Sequence, residues 1–124
     1  MGSIAFALPI STGQADHLFD HVEHITGPGR GEHHERSRRH GFTNVRLYHQ
    51  TQPQEILIVY LEAPNLDKSI EEMRNSPDLW EQPWVQLIAN LGDHRPEHLL
   101  TPKPQLVMDW HHEEGHRHKP ARRA

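Results

Sequence analysis

The run SIAFALPI at residues 3–10 sets Ile4, Phe6, Leu8 and Ile10 against Ala5, Ala7 and Pro9, the period of two that marks a β-strand. Ser11, Thr12 and Gly13 end it and offer helix caps, after which Ala15, Leu18, Phe19, Val22 and Ile25 recur at helical intervals. GPGRG interrupts this helix at residues 27–31, and the very polar EHHERSRRHG reads as a second helical piece stopped by Gly41. NVRLYHQT and EILIVYLEA read as two strands of a hairpin turning around Gln52, Pro53 and Gln54. Past Pro64, Asn65 or Asp67 caps a helix with Leu66, Ile70 and Met73 on one face. NSPD is expected to restart it, with Ser76 as cap and Pro77 at the first helical position. The restarted helix carries the stripe Trp80, Trp84, Leu87, Ile88 and Leu91, closed by Gly92. A proline-rich connector, HRPEHLLTPKP, leads to QLVMDWHH as the last strand.

Strand, helix, strand, strand, helix, strand is the order of an α+β, ferredoxin-like β-α-β-β-α-β fold with a four-stranded antiparallel sheet. In EILIVYL both alternating sets are apolar: Ile56, Ile58 and Tyr60 on one side, Leu57, Val59 and Leu61 on the other. A strand wet on one face does not read this way. Helices cover one face of such a sheet, so the expectation is that a second copy covers the other, giving a homodimer. A single domain is expected over residues 1–112, with residues 113–124, rich in His and Arg and poor in apolar side chains, as a disordered tail.

With this element order, the two-faced strand IVYLEA and the segment SPDLWEQPWVQL before the last strand, residues 3–112 resemble the dimeric α/β-barrel superfamily. Its branches include antibiotic-biosynthesis and haem-degrading monooxygenases, EthD-like proteins, polyketide cyclase-like proteins and sugar mutarotases. The resemblance implies a pocket between sheet and helices in each monomer. Two departures limit it: no asparagine stands on the first strand, where haem-degrading members carry one, and Trp80 and Trp84 are a turn apart, where mutarotase relatives have adjacent tryptophans.

Composition narrows the classes. A chain of 124 residues that is 34% hydrophobic is lean for a self-sufficient core, which again suggests a partner subunit. No apolar run long enough to cross a membrane and no leader peptide pattern is present, so a soluble, cytoplasmic protein is expected. The absence of cysteine removes disulfides, thiolate nucleophiles and cysteine-ligated metals. A net charge of −4 argues against a nucleic-acid surface. No G-x-S-x-G, phosphate-cradling glycine loop or dinucleotide fingerprint occurs.

Chemistry then falls to the 13 histidines and the aromatics. His17, His21 and His24 lie within roughly 60° of one another on their helix and about 130° from the apolar stripe, so they are expected to face solvent. His17 and His21 could hold zinc or nickel there, with Asp20 as a third ligand. His33, His34 and His40 are expected on a solvated face. A hairpin centred near Pro53 and Gln54 puts Leu47, His49, Ile58 and Tyr60 on one face and Arg46, Tyr48, Val59 and Leu61 on the other; a slip of one residue reverses the faces. His49 is the candidate acid/base. Tyr60 and Arg46 orient the ligand, with Tyr48, Trp80, Trp84 and Trp110 lining its site. The expectation is therefore a homodimer that carries or converts a cyclic organic compound by proton transfer, isomerisation or cofactor-free oxygenation. A histidine-rich metal-binding protein and a non-catalytic interaction module are the alternatives.

Overall fold

The computed structural model describes residues 2–98, 100, 103–113 and 115–118. Its sheet has three antiparallel strands in the order β1-β3-β2: β1 (Gly2–Pro9), β2 (Asn44–Gln50) and β3 (Ile56–Ala63). The strand later in sequence sits in the middle because β1 and β2 are joined by a helical crossover and β2 and β3 by a short loop. The crossover is α1 (Asp16–Thr26) and α2 (Arg30–Arg39). After β3 come α3 (Leu66–Arg74), a 3₁₀ turn at Leu79–Glu81 and α4 (Pro83–Leu91). None of the described helices is long and apolar enough to cross a membrane.

One sheet face packs on the helices. Ile4 and Leu8 of β1 and Leu57, Leu61 and Ala63 of β3 are buried there. Leu18, Leu87, Ile88 and Leu91 close over one half, and Leu66 and Ile70 over the other. Each such side chain taken out of water contributes about 1.5–3 kcal/mol. The opposite face carries Ala5, Ala7 and Pro9 of β1, Tyr48 of β2, and Ile56, Ile58 and Tyr60 of β3. Ala5, Ala7 and Pro9 are exposed and Tyr48 keeps 53% of its surface in solvent.

The hairpin register differs from expectation by one residue. Gln50 pairs with Ile56 and Arg46 with Tyr60, so five residues, 51–55, form the connection and Pro53 alone is its centre. Val45, Leu47 and His49 therefore share the helix side with Leu61, Val59 and Leu57, while Arg46 and Tyr48 share the open side with Tyr60 and Ile58. The parity of a loop decides which alternate set faces inward.

α3 begins as its sequence indicates: Asn65 caps it, its side chain accepting from the Lys68 N–H at 3.3 Å. The expected restart at Pro77 does not occur. The Ser76 hydroxyl donates to Asp78, the chain makes a 3₁₀ turn, and α4 starts only at Pro83, its first residue. Gln82 before it is extended, as a residue preceding proline prefers. α4 ends against β1, with the Ser11 N–H donating to the Leu91 carbonyl at 2.7 Å.

The last strand also departs from expectation. Asp109–His111 forms β4 but pairs with β5 (Gly115–His118), in a two-stranded ladder separate from the main sheet. Leu106, Val107 and Met108 before it are exposed at 47–58%. Gly115, at φ +70°, takes the left-handed conformation that this tight turn needs. Part of the expected tail is thus a strand; residues 119–124 lie outside the described residues.

Candidate functional site

Between the sheet and its helices lies a cavity of about 420 Å³, within the ~300–1,000 Å³ usual for small-molecule sites. Its floor is apolar: Phe6 and Leu8 from β1, Val45 and Leu47 from β2, Val59 and Leu61 from β3. Trp84, Leu87 and Ile88 of α4 form one side, and Phe42 and Met73 lie in the wall as well. Trp84 is fixed in place: its indole N–H donates to Gln82 Oε1 at 2.7 Å, while Gln82 Nε2 donates to Asp78 at 3.1 Å. Gln82, 1% exposed, thereby satisfies a buried amide and sets the aromatic wall.

The remaining wall is polar. α1 supplies His21 and His24; α2 supplies Glu32, His33, Arg36 and Ser37, and its C-cap supplies His40. Along α2 and its C-cap the positions 33, 36, 37 and 40 are all half-buried, while 34, 35, 38 and 39 are exposed. This is the i, i+3, i+4, i+7 spacing of an inward helix face, written in polar residues. The expectation of a solvated face missed it because only the apolar alternation was followed. His21, expected to look into solvent, is half-buried against the cavity because α2 folds back beside α1; His24 also borders the cavity but stays exposed, as expected. Gly29 makes this return close. Its N–H donates to the His24 carbonyl at 2.8 Å, and a β-carbon there would collide with the His24 ring.

Burial lowers the proton affinity of three of these imidazoles. His21 is held below the ordinary histidine range first by desolvation and then by His33 and His24. His33 is lowered by desolvation, then by Arg36 and His34. His40 is lowered by desolvation and then by Arg39, with Glu72 acting in the other direction. At neutral pH they are uncharged, each able to donate one hydrogen bond and accept another. Arg36 keeps only 16% of its side chain exposed and donates from Nη2 to Glu32 at 2.8 Å, while Glu32 stays 67% exposed. Arg36 Nε is buried without an acceptor among the described residues. An unpaired buried donor costs about 1–3 kcal/mol.

The residues singled out in the sequence scatter. His49 is on the helix side but outside the cavity lining. Its Nε2 lies 2.9 Å from Glu55, and the edge of its ring meets Phe19 at 5.2 Å. Tyr60 and Arg46 are on the opposite face, the guanidinium 5.4 Å from the ring centre. The Tyr60 hydroxyl donates to Glu62 at 2.6 Å, and this bond, then burial, raises its pKa. His49 and Tyr60 therefore do not converge, the consequence of the one-residue register difference. Tyr48 is on that open face. Of the tryptophans, Trp84 lines the cavity, whereas Trp80 and Trp110 are 62% and 57% exposed. His17 Nε2 lies 3.0 Å from Gln14 Oε1. Among the described residues no three His, Asp or Glu side chains are grouped to hold a metal ion. His111 and His112 stack on each other at 4.6 Å.

No protein-family model, no curated protein and no solved structure matches this chain.

Proposed function

We propose that this protein binds a cyclic or flat organic molecule in the chamber between its sheet and helices, as one subunit of a homodimer. The observation that carries the binding reading is the chamber itself: apolar floor, hydrogen-bonded Trp84 wall and a few polar groups on one flank, the make-up of small-molecule sites in general. If the bound molecule is transformed, the proton-transfer groups are those on this flank, His21, His33 and His40, in place of His49.

A ferredoxin-like framework that pairs through its open sheet face agrees with the order β1-β3-β2 and with the apolar outer set Ala5, Ala7, Ile56 and Ile58. Three strands of about eight residues span roughly 14 by 26 Å, from ~4.8 Å between strands and ~3.3 Å per residue. That is about half of the ~800 Å² per partner of a standard interface. The exposed run Leu106–Met108 is further apolar surface available to such a contact. The small side chains of β1 allow close approach, which favours a second copy of this sheet as the occupant.

Calorimetric titration with a neutral bicyclic aromatic, naphthylmethanol, tests the binding reading. Saturable binding at one site per chain, abolished in Val59→Trp, which fills the chamber, is the expected result. No saturable binding, or binding unaffected by Val59→Trp in a folded variant, refutes it.

A further inference from the structure

The chamber wall contributed by α2 is built for one kind of head group. Arg36 lies mostly buried along it, one side of its guanidinium held by Glu32 at the rim and its Nε without an acceptor. His33, three residues earlier on the same inward face, and His21 from α1 flank the chamber beside it. Opposite is the apolar floor of Leu47, Val59 and Leu61, with Trp84 at the side. A purely apolar guest fills the floor but offers nothing to the guanidinium charge on this wall. A dianionic head such as a phosphate monoester brings two charges to a guanidinium already half neutralised by Glu32. A single carboxylate matches the charge that Glu32 leaves uncompensated and accepts further hydrogen bonds from neutral imidazole N–H groups.

We infer that the ligand is an amphiphilic carboxylic acid, its flat apolar body lying between the sheet and Trp84 and its carboxylate received by the exposed part of the Arg36 guanidinium with His33 and His21. This rests on the reading of the chamber as a small-molecule site. Glu32 is then a gate on affinity: it occupies part of the guanidinium in the empty site and competes with the ligand for it.

Naphthoate and naphthylmethanol share one ring system and differ only in the head group, so calorimetry with both on the full chain isolates the carboxylate. The expected result is naphthoate binding about tenfold or more tighter than the alcohol. Glu32→Gln should widen that gap by freeing the guanidinium. The double variant Glu32→Gln/Arg36→Met should bring naphthoate to about the affinity that the alcohol shows for the same variant. Removing both partners avoids leaving a lone carboxylate that would repel the probe by itself. Equal affinities in the unaltered protein, or a preference for naphthoate that survives the double variant, overturn the inference and leave the small-molecule reading standing. Failure of the alcohol to bind at all overturns both.

Discussion

The two faces of β3 are built from the same kind of residue and meet opposite surroundings. Leu57, Val59 and Leu61 look onto α1, α3 and α4, and Leu57 keeps 1% of its surface in solvent. Ile56, Ile58 and Tyr60 look outward, beside exposed Ala5, Ala7 and Tyr48. Alternation alone does not distinguish them; what differs is how many covering elements the chain can supply. All four helices go to one side, and because α2 is polar along its inward face it cannot close the core tightly. It leaves a chamber with an apolar floor and a hydrogen-bonding wall. The other side is left open, and it is there that the proposed second copy would sit.

The sharpest contrast between the faces is energetic. Leu57→Ala should cost about 2–5 kcal/mol, read as a large fall in the denaturation midpoint; a loss under 1 kcal/mol would mean the helix side is not the true core. On the outer face, Ile58→Lys should leave secondary structure intact and make the melting temperature independent of protein concentration. An unchanged concentration dependence would show that the open face has no role in assembly.

Acid should reveal the polar wall. His21 and His33 have folded-state proton affinities below their unfolded values, so the unfolded chain binds more protons as pH falls through the histidine range. Stability from these groups is complete above the unfolded pKa of about 6.5 and declines below it, levelling once the folded forms protonate. Burial sets this first, with His33 and His24 then acting on His21, and Arg36 and His34 on His33. His33→Gln should flatten the loss between neutral and mildly acidic pH relative to the parent chain; an identical slope in the variant would contradict the burial of His33. The smallest effect belongs to Trp80→Ala, within about 0.5 kcal/mol because Trp80 is 62% exposed. A larger loss would place that indole in an interface.

How much of this was readable from the residues differs by element. SIAFALPI, the two hairpin strands and the Asn65-capped helix announce themselves because burial on a defined face enforces their periods. The restart at Pro77 looked equally good, yet Ser76 and Gln82 both donate to Asp78 and turn the chain before the helix begins at Pro83. Local pattern could not weigh one proline against the other. It also could not fix the hairpin parity, which moved His49 away from Tyr60, nor which strand QLVMDWHH would pair with, since a strand's partner is a tertiary choice. The inward face of α2 was present all along as His33, Arg36, Ser37 and His40. It was hidden because helical spacing was sought in apolar residues, and here the stripe that faces inward is polar.

The central claim, that one sheet face houses a ligand and the other meets a second copy, is tested most directly by the mass of the unaltered chain in dilute solution. Light scattering on the eluting species should give twice the 14.4 kDa of one chain, falling to one chain in Ile58→Lys. A single-chain mass that persists as the protein is concentrated, with the outer face bare, would contradict it.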